Sequence, residues 1–262
     1  MKKIVMILAL CLSALTAQAA VQGREVSYQE NGVTLKGYVA YDDAVKGKRP
    51  AVLVVHEWWG HNDYVRHRAD MLAKLGYTAL AVDMYGDGKL AHHPDDAGRF
   101  ATELSSNMPL AKARFDAGIK LLGTQKTVDA AQMAAIGYCF GGGVVLNMAR
   151  LGENLKGVAS FHGGLNTHIP VVPGTIRARI LSFSGDDDVM ITPDKVAAFK
   201  VEMDAAKANY RVVTYPGVKH SFTNPDADEL GKKFNLPLAF NAEADKDSWQ
   251  QTTEFLRAVF GL

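Results

Sequence analysis

The sequence predicts an α/β fold: a mostly parallel central sheet, an antiparallel hairpin at its N-terminal end and helices on both faces. Two observations carry this. Short runs rich in β-branched and other apolar residues, such as AVLVVHE at 51–57, lack the alternation of a half-exposed strand and suit strands buried on both faces. These runs alternate with segments of helical periodicity, the pattern of a parallel sheet with crossover helices.

The elements follow in order. VSYQENGVTLKGYVAY reads as a hairpin turning at Asn31-Gly32, a pair suited to the positive φ angles of a tight turn. After the strand 51–57, Tyr64 to Leu75 places Val65, Ala69, Leu72 and Leu75 on one side, and Gly76 stops that helix. TALAVDMY is a second buried strand. A helix is expected over Leu110–Leu122, a strand over Met133–Cys139 and a helix over Gly142–Leu151. GVASFHG and ARILSFSG are strands, Asp194–Ala206 a helix and YRVVTYP the last strand. A closing helix over about Asp247–Phe260 carries Trp249, Thr253, Leu256 and Phe260 on one stripe. The stretches from Tyr85 to Pro109 and from Thr223 to Asn241 read as long connections that wall or cover a site.

The first residues read as an export signal. MKK is a short positive region, IVMILALCLSAL an apolar one, and Ala17-Gln18-Ala19 a small-x-small cleavage site. Residues 1–19 are expected to be removed, leaving 20–262 as one domain in a periplasm-like compartment. Cys11 would leave with the signal, so Cys139 becomes the one thiol of the mature chain and no internal disulfide can form. Composition is ordinary, 48% hydrophobic and 22% charged with a formal charge of +1. That balance gives no basic surplus for nucleic acid or anionic lipid. No cofactor and no membrane partner are expected, the ligand is a small molecule, and the chain is expected to be a monomer.

In open parallel sheets, ligands bind beyond the carboxyl ends of the strands. Gly137-Tyr138-Cys139-Phe140-Gly141 lies at one such end, between a strand and a helix. G-x-nucleophile-x-G is the nucleophile elbow, a sharp turn that lifts one side chain above the sheet and needs small flanking residues. The helix N-terminus behind Cys139 favours a thiolate. The plain alternative is a small buried cysteine in an ordinary turn. An elbow nucleophile works with an acid and then a histidine later in the chain. Of the eight histidines, only His220 in YPGVKHSF follows a plausible acid turn, Ser184-Gly185-Asp186-Asp187-Asp188.

His56-Glu57-Trp58-Trp59-Gly60-His61 resembles a zinc motif, but its histidines are five apart and follow a strand, so no metal is expected. Glu57 is instead a carboxylate at the mouth of a buried strand. The backbone amides of Trp58 and Phe140 stand where an oxyanion hole is built in this kind of site. His92-His93-Pro94-Asp95-Asp96 reads as a solvated loop.

With these residues placed, the chain resembles the dienelactone hydrolase family of α/β-hydrolases over nearly all of its mature length. The motifs are HEWWG, LAVDMYGDG, GYCFGG, GDDDV and PGVKHSF. The resemblance implies an ester or lactone hydrolase of the carboxymethylenebutenolidase class. It implies Cys139 as nucleophile, Asp188 as the acid, His220 as the base, and Glu57 beside the thiol at rest. Tyr85, Asp87, Tyr138, Phe222 and Asn224 become pocket candidates. The family's two substrate-gripping arginines correspond to Asp87 and Asn224, which makes an anionic dienelactone an unsuitable substrate. A non-catalytic binding or stress protein on the same scaffold, and a redox-reactive thiol, remain as alternatives.

Overall fold

The computed structural model describes residues 21–262, so the expected export signal and Cys11 lie outside the described residues. Eight strands form one sheet: β1 (Val21–Glu30), β2 (Val33–Asp42), β3 (Arg49–Val55), β4 (Thr78–Val82), β5 (Val128–Tyr138), β6 (Gly157–Phe161), β7 (Arg179–Gly185) and β8 (Tyr210–Tyr215). Their spatial order is β1-β2-β4-β3-β5-β6-β7-β8. β1 and β2 pair antiparallel across the Asn31-Gly32 turn, where φ is 45° and 80°, as the sequence predicts. β2 meets β4 antiparallel, and every pair from β4 to β8 is parallel.

Seven helices cover the sheet: α1 (Asp63–Lys74), α2 (Pro94–Ser105), α3 (Met108–Gly123), α4 (Phe140–Arg150), α5 (Pro193–Ala205), α6 (Ala227–Phe234) and α7 (Ala242–Phe260). Asparagine side chains cap three of them, Asn62 for α1, Asn107 for α3 and Asn241 for α7, each accepting from an amide of the first turn. β3 explains the continuous apolar runs. Leu53 and Val55 face one core with Phe115, Val145 and Phe199, while Val52 and Val54 face a second core with Leu72, Tyr138 and Leu256. Alternation along a strand serves two helix layers at once.

Two helices stand where the sequence reads as irregular. α2 replaces the solvated loop at 92–96 and continues to Ser105, with His93 as its N-cap, accepting from the Asp95 amide. α2 buries only Ala97 and Leu104, and such a thin apolar face leaves little periodicity to read. α6 has only eight residues and buries Ala227 and Gly231. The closing helix begins at Ala242, five residues before the expected Asp247, because Asn241 caps it there.

Candidate active site

Four loops converge at the carboxyl edge of the parallel strands. β3 leads into His56-Glu57-Trp58, β5 into Cys139, β7 into Asp186–Asp188, and β8 into the turn ending at His220.

Cys139 sits at φ 51° and ψ −115°, a conformation L-residues adopt rarely, at the N-cap of α4. Its neighbours explain how it is held there. A Cβ on Gly137 would collide with the Gly141 carbonyl, and one on Gly141 would collide with the Val55 carbonyl. Only glycine lets β5, the turn and the end of β3 approach this closely. We expect Gly137→Ala to cost about 3 kcal/mol in a urea unfolding curve, since backbone blocks the new methyl. Gly98→Ala is the control: a Cβ there meets nothing, so it should be neutral or stabilising by up to about 1 kcal/mol.

The Asp run is sorted by burial: Asp186 and Asp187 are exposed, whereas Asp188 is 2% exposed. Its Oδ1 accepts the Met190 and Ile191 amides at 2.8 and 3.1 Å, and its Oδ2 meets His220 Nδ1 at 2.7 Å. Backbone donors thereby fix the carboxylate so that one oxygen faces the ring. Among the described residues His220 Nε2 makes no hydrogen bond of good geometry, yet it lies close enough to Cys139 for the sulfur to influence its protonation. Burial opposes a positive imidazole here, but the thiolate charge of Cys139 and the Asp188 bond prevail, and the His220 pKa is pushed up to about 10.

Glu57 is buried, and its contacts differ from those the resemblance implies. Ser221 Oγ donates to Oε1 at 3.0 Å and Asn224 Nδ2 to Oε2 at 2.6 Å, so both oxygens turn to the histidine loop. The Cys139 sulfur forms no hydrogen bond with it among the described residues. Burial raises the Glu57 pKa, and the Asn224 and Ser221 donors offset this only in part.

Among the described residues the amides of Trp58 and Phe140 donate to no protein acceptor, and Phe140 opens α4, where the first N–H groups have no helical partner. Tyr85 braces the Trp58 turn: its hydroxyl donates to the Trp58 carbonyl at 2.9 Å and its ring packs on His56 and Phe140.

A cavity of about 320 Å³ opens from Cys139 and His220. Leu104, Met108, Val144, Met190 and Ile191 form much of its wall, so the connection before Pro109 does line the site, through the α2–α3 turn. The five pocket candidates stand elsewhere. Asp87 is exposed on a positive-φ turn, its amide bonded to the Thr34 carbonyl. Tyr138 precedes Cys139, and strand alternation turns its ring into the opposite core between Tyr64 and Phe161. Phe222 packs on His162 and Tyr215, Asn224 holds Glu57, and Tyr85 supports Trp58 from behind.

Sequence order passed over His162, which the structure sets beneath the elbow. Its Nδ1 accepts the Cys139 amide at 3.1 Å, so its proton resides on Nε2, which faces Thr223 Oγ1 at 2.8 Å. Burial pulls its pKa well down, so the ring stays neutral beside His220, 5.1 Å away between ring centroids. Thr223 continues to Tyr64 at 2.6 Å, and its carbonyl accepts from buried Arg68, which also pairs with Asp245. This network pins the loop carrying His220 to α1 and α7. The one sequence signal was FHGG itself, a histidine followed by paired glycines at a strand end, where His162 has φ 40°.

The geometry can be set beside known proteins. Protein usf of Aquifex pyrophilus is 26% identical over 239 residues, covering 90% of this chain and 98% of the relative. Among solved structures, a dienelactone hydrolase-like promiscuous phosphotriesterase from metagenomic libraries superposes with a TM-score of 0.86 at 31% identity, covering 92% of this chain and 99% of that one. The protein m3DLH gives a TM-score of 0.85 at 34% identity over the same shares. The model of the dienelactone hydrolase family matches residues 35–260. With its eight-stranded sheet and the glycine-framed turn at Cys139, the chain belongs to the dienelactone hydrolase family.

Proposed function

We propose that this protein hydrolyses small neutral esters or lactones through a covalent intermediate on Cys139. The observation that supports this most directly is the convergence of Asp188, His220 and Cys139 from three strand ends onto one cavity.

In this reading Asp188 keeps the His220 proton on Nδ1, leaving Nε2 to take the thiol proton. The resulting imidazolium and thiolate stabilise each other, consistent with the raised His220 pKa. Deprotonation falls to His220 because both Glu57 oxygens are engaged by Ser221 and Asn224. The thiolate attacks the substrate carbonyl, and the Trp58 and Phe140 amides receive the oxyanion. Collapse of the tetrahedral intermediate forms the thioester and consumes the thiolate charge. That removes an influence holding the proton on His220, so the ring becomes a stronger acid as the alkoxide leaves. His220 Nε2, now neutral, activates water to release the acid.

A panel of p-nitrophenyl acetate, small neutral lactones, a neutral aryl phosphotriester and an anionic dienelactone tests the reading. The phosphotriester is included because a relative 31% identical is named for that activity. Turnover of neutral esters or lactones is expected, with the anionic lactone at least about tenfold poorer in kcat/KM, since no Lys or Arg lines the cavity among the described residues. Binding without turnover of any member would contradict the proposal and favour a non-catalytic binding protein.

A further inference from the structure

The cavity has a polar contact far from the nucleophile that the hydrolytic reading leaves unused. Asn147 lies on α4 one turn beyond Gly143, and both line the cavity. Its distance from Phe140 along the helix axis is about 10 Å. The orientation of its amide is fixed. Oδ1 accepts from Arg150 Nη1 at 3.0 Å and from Thr167 Oγ1 at 3.1 Å. A guanidinium can only donate, so the oxygen must face Arg150. Arg150 is itself locked, with both Glu202 carboxylate oxygens at 2.7 Å and the Leu165 carbonyl at 2.7 Å. The Nδ2 group is left with two N–H donors and no protein acceptor among the described residues.

The rest of the wall defines what such a donor reads. Among the described residues no Lys, Arg, Asp or Glu lines the cavity; its wall includes Phe140, Val144, Leu104 and Met108, with Ser105 and Asn166 as further polar members. An ordered donor in such a mostly apolar wall selects by hydrogen bonding, because a partner without an acceptor leaves it unpaired.

We infer that Asn147 is a specificity-determining residue: its Nδ2 receives an uncharged acceptor oxygen, a ketone or ester carbonyl, carried on the far end of the substrate's acyl chain. The preferred substrates are then esters or lactones with an apolar acyl body and a distal carbonyl. This rests on the hydrolase reading above.

The test uses p-nitrophenyl octanoate and its isomeric 3-oxo, 5-oxo and 7-oxo derivatives, with the native protein and Asn147→Asp. Aspartate keeps acceptors for Arg150 and Thr167 but replaces the free donor with an acceptor. In the native protein, one oxo isomer should exceed the other two by about tenfold in kcat/KM, the scale of one well-placed hydrogen bond. For that isomer, the ratio to plain octanoate should fall about tenfold in Asn147→Asp. Equal rates for the three isomers in the native protein would overturn the inference even if the variant does not fold. An oxo preference that survives Asn147→Asp would overturn it as well. Hydrolysis of plain octanoate separates this failure from that of the hydrolase reading: if the native protein cleaves none of the esters, both fall together.

Discussion

Cys139→Ala is expected to lower kcat/KM for p-nitrophenyl acetate by at least about 10³-fold, while the urea midpoint stays close to that of the native protein. The expected loss is large because, in the proposed reaction, the thiol does two things at once: it forms the covalent bond and it anchors the charge of His220. The fold should tolerate the change. The side chain is partly exposed, its polar neighbour is His220 at the cavity floor, and alanine retains the Cβ around which the turn is built. Activity and stability measured on the same preparation check both halves. Equal hydrolysis by native and variant proteins would remove Cys139 from the chemistry.

Asp188→Asn is expected to give the second large loss, on the order of 10³- to 10⁴-fold in kcat, because of the way the carboxylate is held. The Met190 and Ile191 amides require an acceptor at the Oδ1 position, so asparagine must place its oxygen there. Its NH₂ group then faces His220 Nδ1 and donates to it. The histidine proton moves to Nε2, where it points at the sulfur and can no longer accept. Asp188→Asn should therefore retain near-native secondary structure by circular dichroism yet fail as a hydrolase. An Asp187→Asn control, on the exposed neighbour, should remain within twofold of native. If Asp188→Asn kept full activity, tautomer control by this carboxylate would be excluded.

Reading the sequence succeeded where one physical constraint dominates. Strands buried on both faces must be apolar throughout, which made β3, β4, β6 and β7 legible. Close backbone approach at Gly137 and Gly141 left glycines that mark the turn, and the order of acid and histidine singled out the two residues that now stand hydrogen-bonded. It failed where tertiary packing decides. α2 and α6 bury too few residues to leave a stripe. The cavity wall comes from the α2–α3 turn and α4, so motif neighbours such as Tyr138 and Asp87 were poor guides to it. Proximity in sequence says little about direction: Tyr138 is next to Cys139 and points into the other core. Glu57 was recognisable as a carboxylate in an apolar setting, but only the structure shows that Ser221 and Asn224 hold it. His162 and Asn147 sit in side-chain networks that no local pattern records.

The proposed reaction turns on transfer of an acyl group to Cys139. Intact-mass and peptide analysis of the His220→Ala protein after prolonged exposure to p-nitrophenyl acetate tests this, because so activated an ester acylates a thiol slowly even without the base, while water activation is removed and the thioester persists. One acetyl group per chain is expected, carried by the peptide containing Cys139 and absent in the Cys139→Ala, His220→Ala double variant. Acetyl transfer to a different residue, or an adduct that persists in the double variant, would contradict it.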